Sequence, residues 1–207
     1  MRKPDLKEIQ RVFDGVVLPF YAIKRDMYVP TEGNRAENDA EHSWSLAFMA
    51  FMLAPAIDKK LDVQKAVTYA IIHDLAEIHA GDTSVWAPEK DHASKDRREE
   101  VSLGKIKSDF ANYPHLIKSL GDYRVKADAE AKFIYALDKF HNWLTGASGG
   151  GAFFKQHRKI TKAQTDKRLK IARTKAYKHP KVGEYFDELV EYFDHHPEFF
   201  YPDNIKL

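Results

Sequence analysis

Residues 66–83, Ala-Val-Thr-Tyr-Ala-Ile-Ile-His-Asp-Leu-Ala-Glu-Ile-His-Ala-Gly-Asp-Thr, constrain this chain more than any other stretch. The first half is apolar enough for a core helix. The second half then delivers His73, Asp74, Glu77, His79 and Asp82 in quick succession. A core cannot take in that many ionisable groups unless they are paired or bound to a cation, because an isolated buried charge is costly. The spacing predicts one helix over 63–80, with Asp62 as N-cap and Gly81 as its stop. Glu77 then lies one turn beyond His73 on the same face, and Asp82 lies in the following loop. The chemistry this suggests is a divalent-metal site, with His73 and Asp74 as ligands and Glu77 and Asp82 beside an activated water.

Other segments repeat the helical period. Leu6, Ile9, Val12 and Phe13 mark a short helix ending at Asp14-Gly15, and 15–37 reads as a connecting segment with turn signals at Pro19, Pro30 and Gly33. Asn38-Asp39-Ala40-Glu41 has the form of a capping box opening a helix that runs to about Ala54, with His42 in its first turn. Further helices are expected over 94–112, 115–120, 129–145 with Asp128 as cap, 156–178 and 181–195. Pro114, Gly121-Asp122 and Pro180 separate them, and the Gly-rich stretch 145–152 reads as a loop. That loop lacks the Lys and Ser/Thr ending of a phosphate-binding Walker loop. The sequence shows no internal repeat and no period-two alternation, so an all-α fold is expected: a single-domain helical bundle over 1–207.

Composition removes several function classes. A formal net charge of +2 gives no electrostatic claim on nucleic acid or anionic membrane. The absence of cysteine excludes disulfides and thiolate metal sites, so a metal must be held by His and carboxylate. No stretch approaches the ~18 consecutive apolar residues of a membrane span. Met-Arg-Lys-Pro-Asp is not followed by the apolar run of a signal peptide, so a cytoplasmic protein without membrane attachment is expected.

Several residues carry two readings. Lys24, Arg25 and Arg35 are surface charges or phosphate contacts, since a guanidinium can grip a phosphate bidentately. His42 is a structural imidazole or a ligand, and Trp86 closes a pocket or anchors a loop. Asp138 follows Leu137 on a helix whose apolar residues Phe133, Ile134, Leu137, Phe140 and Leu144 recur at core spacing. It is a marginal exposed carboxylate unless it joins the other ligands, because pairing with Lys139 or Lys132 does not explain burial there. His195-His196, at a helix end before Pro197, read as exposed charges.

Taken in order, His42, His73-Asp74 and Asp138 form an H…HD…D pattern with each part on a separate predicted helix. This pattern resembles the HD-domain metal-dependent phosphohydrolases. Glu37-Asn38-Asp39-Ala40-Glu41-His42-Ser43, His73-Asp74-Leu75-Ala76-Glu77, Gly81-Asp82, the charged run Lys95 to Glu100, and Ala129 to Asp138 are similar to the HD-domain 5′-nucleotidase group, which includes bacterial 5′-deoxynucleotidases and eukaryotic relatives. The likeness covers about residues 20–145, leaving 152–207 as a helical extension without a match.

The resemblance implies that His42, His73, Asp74 and Asp138 bind one divalent cation (Mn, Co, Mg, Fe or Zn). It implies that Glu77 and Asp82 divide the acid and base work, and that Arg25, or else Arg35, contacts the phosphate. The activity implied is hydrolysis of (deoxy)nucleoside 5′-monophosphates to nucleoside and phosphate. Cyclic nucleotides, nucleoside polyphosphates or other phosphate esters are the alternative substrates, and His79 and His92 keep a binuclear centre in view. Homodimers occur in the group, and the aromatic tail after Glu198 suits packing on the body or on a partner subunit. A different reading makes the metal structural and gives the basic 156–178 helix a nucleic-acid or protein partner. Glu77 and Asp82 argue against it, because a closed structural site has no use for them.

Overall fold

Described in the computed structural model are residues 5–31 and 35–202. The expected turn at Gly33 lies outside them, as do the first four residues and the end of the tail. The chain is predominantly helical. Asp5 caps α1 (Leu6–Val12), which does not stop at Asp14-Gly15. It passes through a π-helical turn (Phe13–Val17) into α2 (Leu18–Ala22). Part of the expected connecting segment is a small antiparallel hairpin, β1 (Lys24–Tyr28) and β2 (Ala36–Asn38), paired Lys24 to Asn38 and Tyr28 to Ala36 with an irregularity between.

α3 (Asp39–Ile57) opens with the expected capping box, the Asn38 side chain accepting from the Glu41 N–H and the Glu41 carboxylate from the Asn38 N–H. Pro55 does not end it. The proline removes one bond near the C-terminus, and the Asp58 N–H still reaches the Ala54 carbonyl at 2.9 Å. α4 (Val63–Ile72) begins at Asp62 as expected but is shorter than 63–80. After Ile72 the chain tightens: the Leu75 N–H bonds to the Ile72 carbonyl at 3.1 Å and the Glu77 N–H to the Asp74 carbonyl at 2.8 Å, both i to i+3. Helical geometry resumes only in α5 (Glu77–Ala80), and Gly81 ends it at φ 73°, a conformation that suits glycine.

α6 (Glu89–Asp109) starts a turn earlier than expected, and α7 (Pro114–Val125) runs straight through Gly121-Asp122. α8 (Ala129–Ser148) extends into the Gly-rich stretch. Gly146 lies within this helix, and a Cβ there would stand 2.7 Å from the Phe154 ring. The expected 156–178 helix is shorter: a π-helical turn (Phe153–His157) and the left-handed Lys159 precede α9 (Lys162–Ala176), which Thr161 and Gln164 cap. α10 (Pro180–Asp194) follows, and then a 3₁₀ turn (Pro197–Phe199). No helix of the described residues is long and apolar enough to cross a membrane.

Two apolar clusters hold these elements. The first joins α2, α3, α4, α7 and α8 through Phe20, Leu46, Tyr69, Leu120, Phe133 and Ile134. The second packs Trp143, Phe154, Leu169, Phe186 and Phe193 of the C-terminal elements, and Phe140 of α8 borders both. Phe199 and Phe200 are buried in that second cluster, so the described part of the aromatic tail lies on the chain's own body. A fully buried phenylalanine such as Phe154 contributes roughly 1.5–3 kcal/mol of transfer free energy.

Candidate metal centre

Three neighbouring structures of the first cluster converge. α3 presents His42, the turn after α4 presents His73 and Asp74, and α8 presents Asp138. The His42 Nε2 lies 3.1 Å from Asp138 Oδ1 and 3.9 Å from Asp74 Oδ2. The His73 Nε2 lies 2.9 Å from Asp74 Oδ2 and 3.9 Å from Asp138 Oδ1. The tightened turn after α4 lets two consecutive residues reach one point, which a continuous helix would splay apart.

The donors fit a divalent cation. The His73 Nδ1 donates to the Ala70 carbonyl at 2.8 Å, so the neutral ring carries its lone pair on Nε2. That Nε2 is buried without a hydrogen-bond partner while facing carboxylate oxygens. Lone pairs aimed at one another from this range repel unless a proton or a cation lies between them. Two imidazoles and two carboxylates are ligands that Mn, Fe, Co and Zn accept, and Mg takes the carboxylates. Burial pushes Asp74 up, but His73 and then Arg25 hold its carboxyl well below the usual range. Burial likewise works against ionised Asp138, and Lys139, His42 and His73 prevail in keeping it low. For His42, burial and Arg25 pull downward, yet its hydrogen bonds to Asp138 and Glu37 keep it above an ordinary imidazole.

Glu77 and Asp82 stand beside this group in a recess of about 90 Å³. Glu77 is 2% exposed; one oxygen is 3.2 Å from the Lys95 ammonium and Oε2 has no partner. Burial first, and then the charge of Asp74, pushes its carboxyl up to about 10. A cation bound at Asp74 opposes the second cause. Arg25 also lines the recess, but its donors are largely engaged. Its Nη1 donates to Asp39 at 3.0 Å and Asp74 at 2.9 Å, its Nη2 to Asn142 at 3.3 Å, and its Nε is 3.5 Å from Glu37. Arg35 is not brought to the recess; it grips Glu41 through two 2.9 Å bonds. Among the described residues neither His79 nor His92 belongs to a grouping with metal-ligand spacing. His195 is exposed and His196 pairs with Glu198 at 2.8 Å. Trp86 meets both readings: its ring packs edge-on to Trp143 at 6.1 Å and also lines the recess.

The sequence did not single out several side chains of this region. Asp39 is fully buried, pushed up to about 6 by burial and then by Asp74, and one of its oxygens has no partner. Its position in the first turn of a helix that also bears His42 was the available signal. Lys139 pairs with Asp138, alongside the contacts Asp138 makes with His42 and Asn142. Asn142, one turn on, donates to Asp138 at 3.2 Å. A second grouping, Glu37, His42 and His141, shares His42, and burial and then His42 bring His141 down to about 4.

Comparison with known proteins gives a consistent picture. A family model described as HD domain matches residues 22–180. Two curated relatives, from Homo sapiens and Bos taurus and both named 5′-deoxynucleotidase HDDC2, are 29% and 27% identical over 119 residues, 56% of this chain and of each relative. The match thus spans about half the length of those relatives. The crystal structure of a predicted metal-dependent phosphohydrolase from Magnetospirillum magnetotacticum MS-1 superposes with a TM-score of 0.71 at 28% identity, covering 94% of both chains. A Pyrococcus horikoshii OT3 protein, 20% identical with a TM-score of 0.62 over 89% of this chain and 99% of that one, shares the fold.

Proposed function

The chain belongs to the HD-domain family, and on that premise we propose that it is a metal-dependent phosphohydrolase acting on deoxynucleoside 5′-monophosphates. The observation that carries this reading is the convergence of His42, His73, Asp74 and Asp138, with the unpartnered Oε2 of Glu77 beside them in the recess. These four residues would hold one divalent cation. Such an ion supplies Lewis-acid charge to a phosphoryl oxygen and makes a neighbouring water more acidic.

The rest of the work falls to the chain. Arg25 fixes Asp74 and Asp39 in place and keeps Asp74 ionised. Lys95 and Lys139 line the recess and face the phosphate oxygens with positive charge. Glu77 accepts a proton from the attacking water at Oε2, for which its carboxyl must be ionised: a cation held at Asp74 would offset the Asp74 charge that, after burial, pushes it up. The water oxygen bonds to phosphorus as the P–O5′ bond breaks. Asp82, also in the recess wall, passes that proton on from Glu77 to O5′, releasing nucleoside and phosphate. The likeness to relatives named 5′-deoxynucleotidase supports the nucleotide assignment.

The test is phosphate release from deoxy and ribo 5′-monophosphates with Mn, Co, Mg, Zn or chelator present, for wild type and Glu77→Gln. Release that needs metal and falls about 10²–10⁴-fold in the variant, with metal retained, is the expected result. Unchanged release under chelation, or full activity in Glu77→Gln, would contradict it.

A further inference from the structure

Beyond the recess lies a cavity of about 510 Å³ that none of these steps uses. The two share Thr83, Val85, Lys95, Lys139 and Asn142 in their walls and so lie next to one another. Volume divides the labour. About 90 Å³ accepts a phosphoryl group, whereas small-molecule sites begin at roughly 300 Å³. The nucleoside leaving group therefore belongs in the larger space, where Trp143, Val85 and Ile171 give it apolar wall.

A neutral nucleoside does not account for the charges there. Lys95 is satisfied by Glu77 and Glu99, and Lys139 by Asp138. Lys126, Arg168 and Lys175 also line the cavity, and among the described residues none of the three has a carboxylate within 4.0 Å. Two of them stand over rings, Lys126 at 4.7 Å from the Tyr135 centroid and Arg168 at 5.9 Å from that of Trp86, and the Lys126 ammonium also donates to the Arg124 carbonyl at 3.2 Å. Glu89 and Asp96 belong to the same wall. Even so, the wall carries five cationic side chains, Lys95, Lys126, Lys139, Arg168 and Lys175, against the three carboxylates Glu89, Asp96 and Glu99. His92 adds a buried Nε2 without a partner.

We propose that this cavity binds a second phosphate on the leaving group, making a nucleoside 3′,5′-bisphosphate the preferred substrate, with Lys126, Arg168 and Lys175 as its anion contacts. This deepens the function proposed above and rests on it, because the 5′-phosphate must occupy the recess. A 5′-diphosphate does not meet the same description: its extra phosphate lies on the recess side of O5′, away from these three cations. The cavity is a specificity device walled by α6, α8 and α9, and α9, which supplies Arg168 and Lys175, lies beyond the segment that carries the H…HD…D pattern.

The experiment compares deoxyadenosine 5′-monophosphate, 3′,5′-bisphosphate and 5′-diphosphate on metal-loaded wild type and on the Arg168→Gln/Lys175→Gln double variant. It reads kcat and KM by phosphate release and affinity by calorimetry on chelated protein. Wild type should favour the bisphosphate over the monophosphate by about tenfold or more in kcat/KM, mostly through KM. The diphosphate should gain no such advantage, and the double variant should lose the preference. Release from monophosphates with no bisphosphate preference, or a preference that survives in the variant, would overturn the cavity assignment. Tighter bisphosphate binding lost in the variant, with no release from any nucleotide, would overturn the hydrolase reading and leave the anion site standing.

Discussion

The cluster between α3, α4 and α8 and the cavity walled by α9 are adjacent, yet they treat charge in opposite ways. In the cluster, Arg25, Asp39, His42 and Asp138 are almost wholly removed from solvent, and each is locked to others within hydrogen-bond range. In the cavity, Lys126, Arg168 and Lys175 lean on rings or stand without a carboxylate partner. A metal centre needs ligands fixed to a fraction of an ångström, so it is built into the packed core where every displacement is costly. A leaving-group pocket needs charge that can settle around a ligand, so it is assembled from chain segments that meet only at the surface. The first arrangement ties function to stability, and the second separates them.

Breaking that contrast begins with Arg25→Met. It would leave Glu37, Asp39 and Asp74 without their buried guanidinium and should cost about 3–5 kcal/mol in denaturant unfolding. Arg168→Gln should stay within about 0.5 kcal/mol of wild type. Equal costs for the two would erase the distinction.

His73→Ala comes next. Loss of this donor should reduce phosphate release by at least about 10²–10³-fold together with metal content by elemental analysis. Retention of both would remove His73 from the site.

A smaller effect is expected where the two regions are joined. Gly146→Ala places a Cβ 2.7 Å from the Phe154 ring and should cost about 1–3 kcal/mol. The displaced second cluster should weaken bisphosphate preference more than monophosphate turnover, which paired kinetics would show.

The smallest concerns His179, which burial holds below its ordinary value while Asp58 opposes. Its ring packs edge-on to Phe133 at 5.2 Å, and its Nδ1 has no partner. The unfolded chain then binds the proton more readily, so this group's contribution is present above its unfolded value of 6.5 and is lost as pH falls below it. His179→Phe should lose less Tm on acidification than wild type; an identical decline would show that His179 does not contribute.

The same contrast explains what could be read from sequence. His73 and Asp74 stood out because polar residues interrupt an apolar helical period and a buried charge needs a reason, whereas His42 and Asp138 carried two readings until the ordered H…HD…D pattern joined them. Caps at Asn38, Asp62 and Asp128 were equally legible, since their side chains bond to backbone a few residues away. The turn between Ile72 and Glu77 was not, because its residues are compatible with a continued helix and the departure is set by what they converge on. β1 was missed because Lys24 to Tyr28 is short and charged, and pairs across a loop with β2. Arg25 reaches Asp74 only because of that hairpin. The cavity cations gave no local sign: Lys126, Arg168 and Lys175 belong to basic stretches that read equally well as solvated surface, and only the packing of α9 brings them together.

The most direct test of the central claim is an anomalous-difference map from crystals soaked in Mn²⁺. One peak bonded to His42 Nε2, His73 Nε2, Asp74 and Asp138 is the result this account predicts. A peak confined to Glu37, His42 and His141, or none at the H…HD…D cluster, would contradict it.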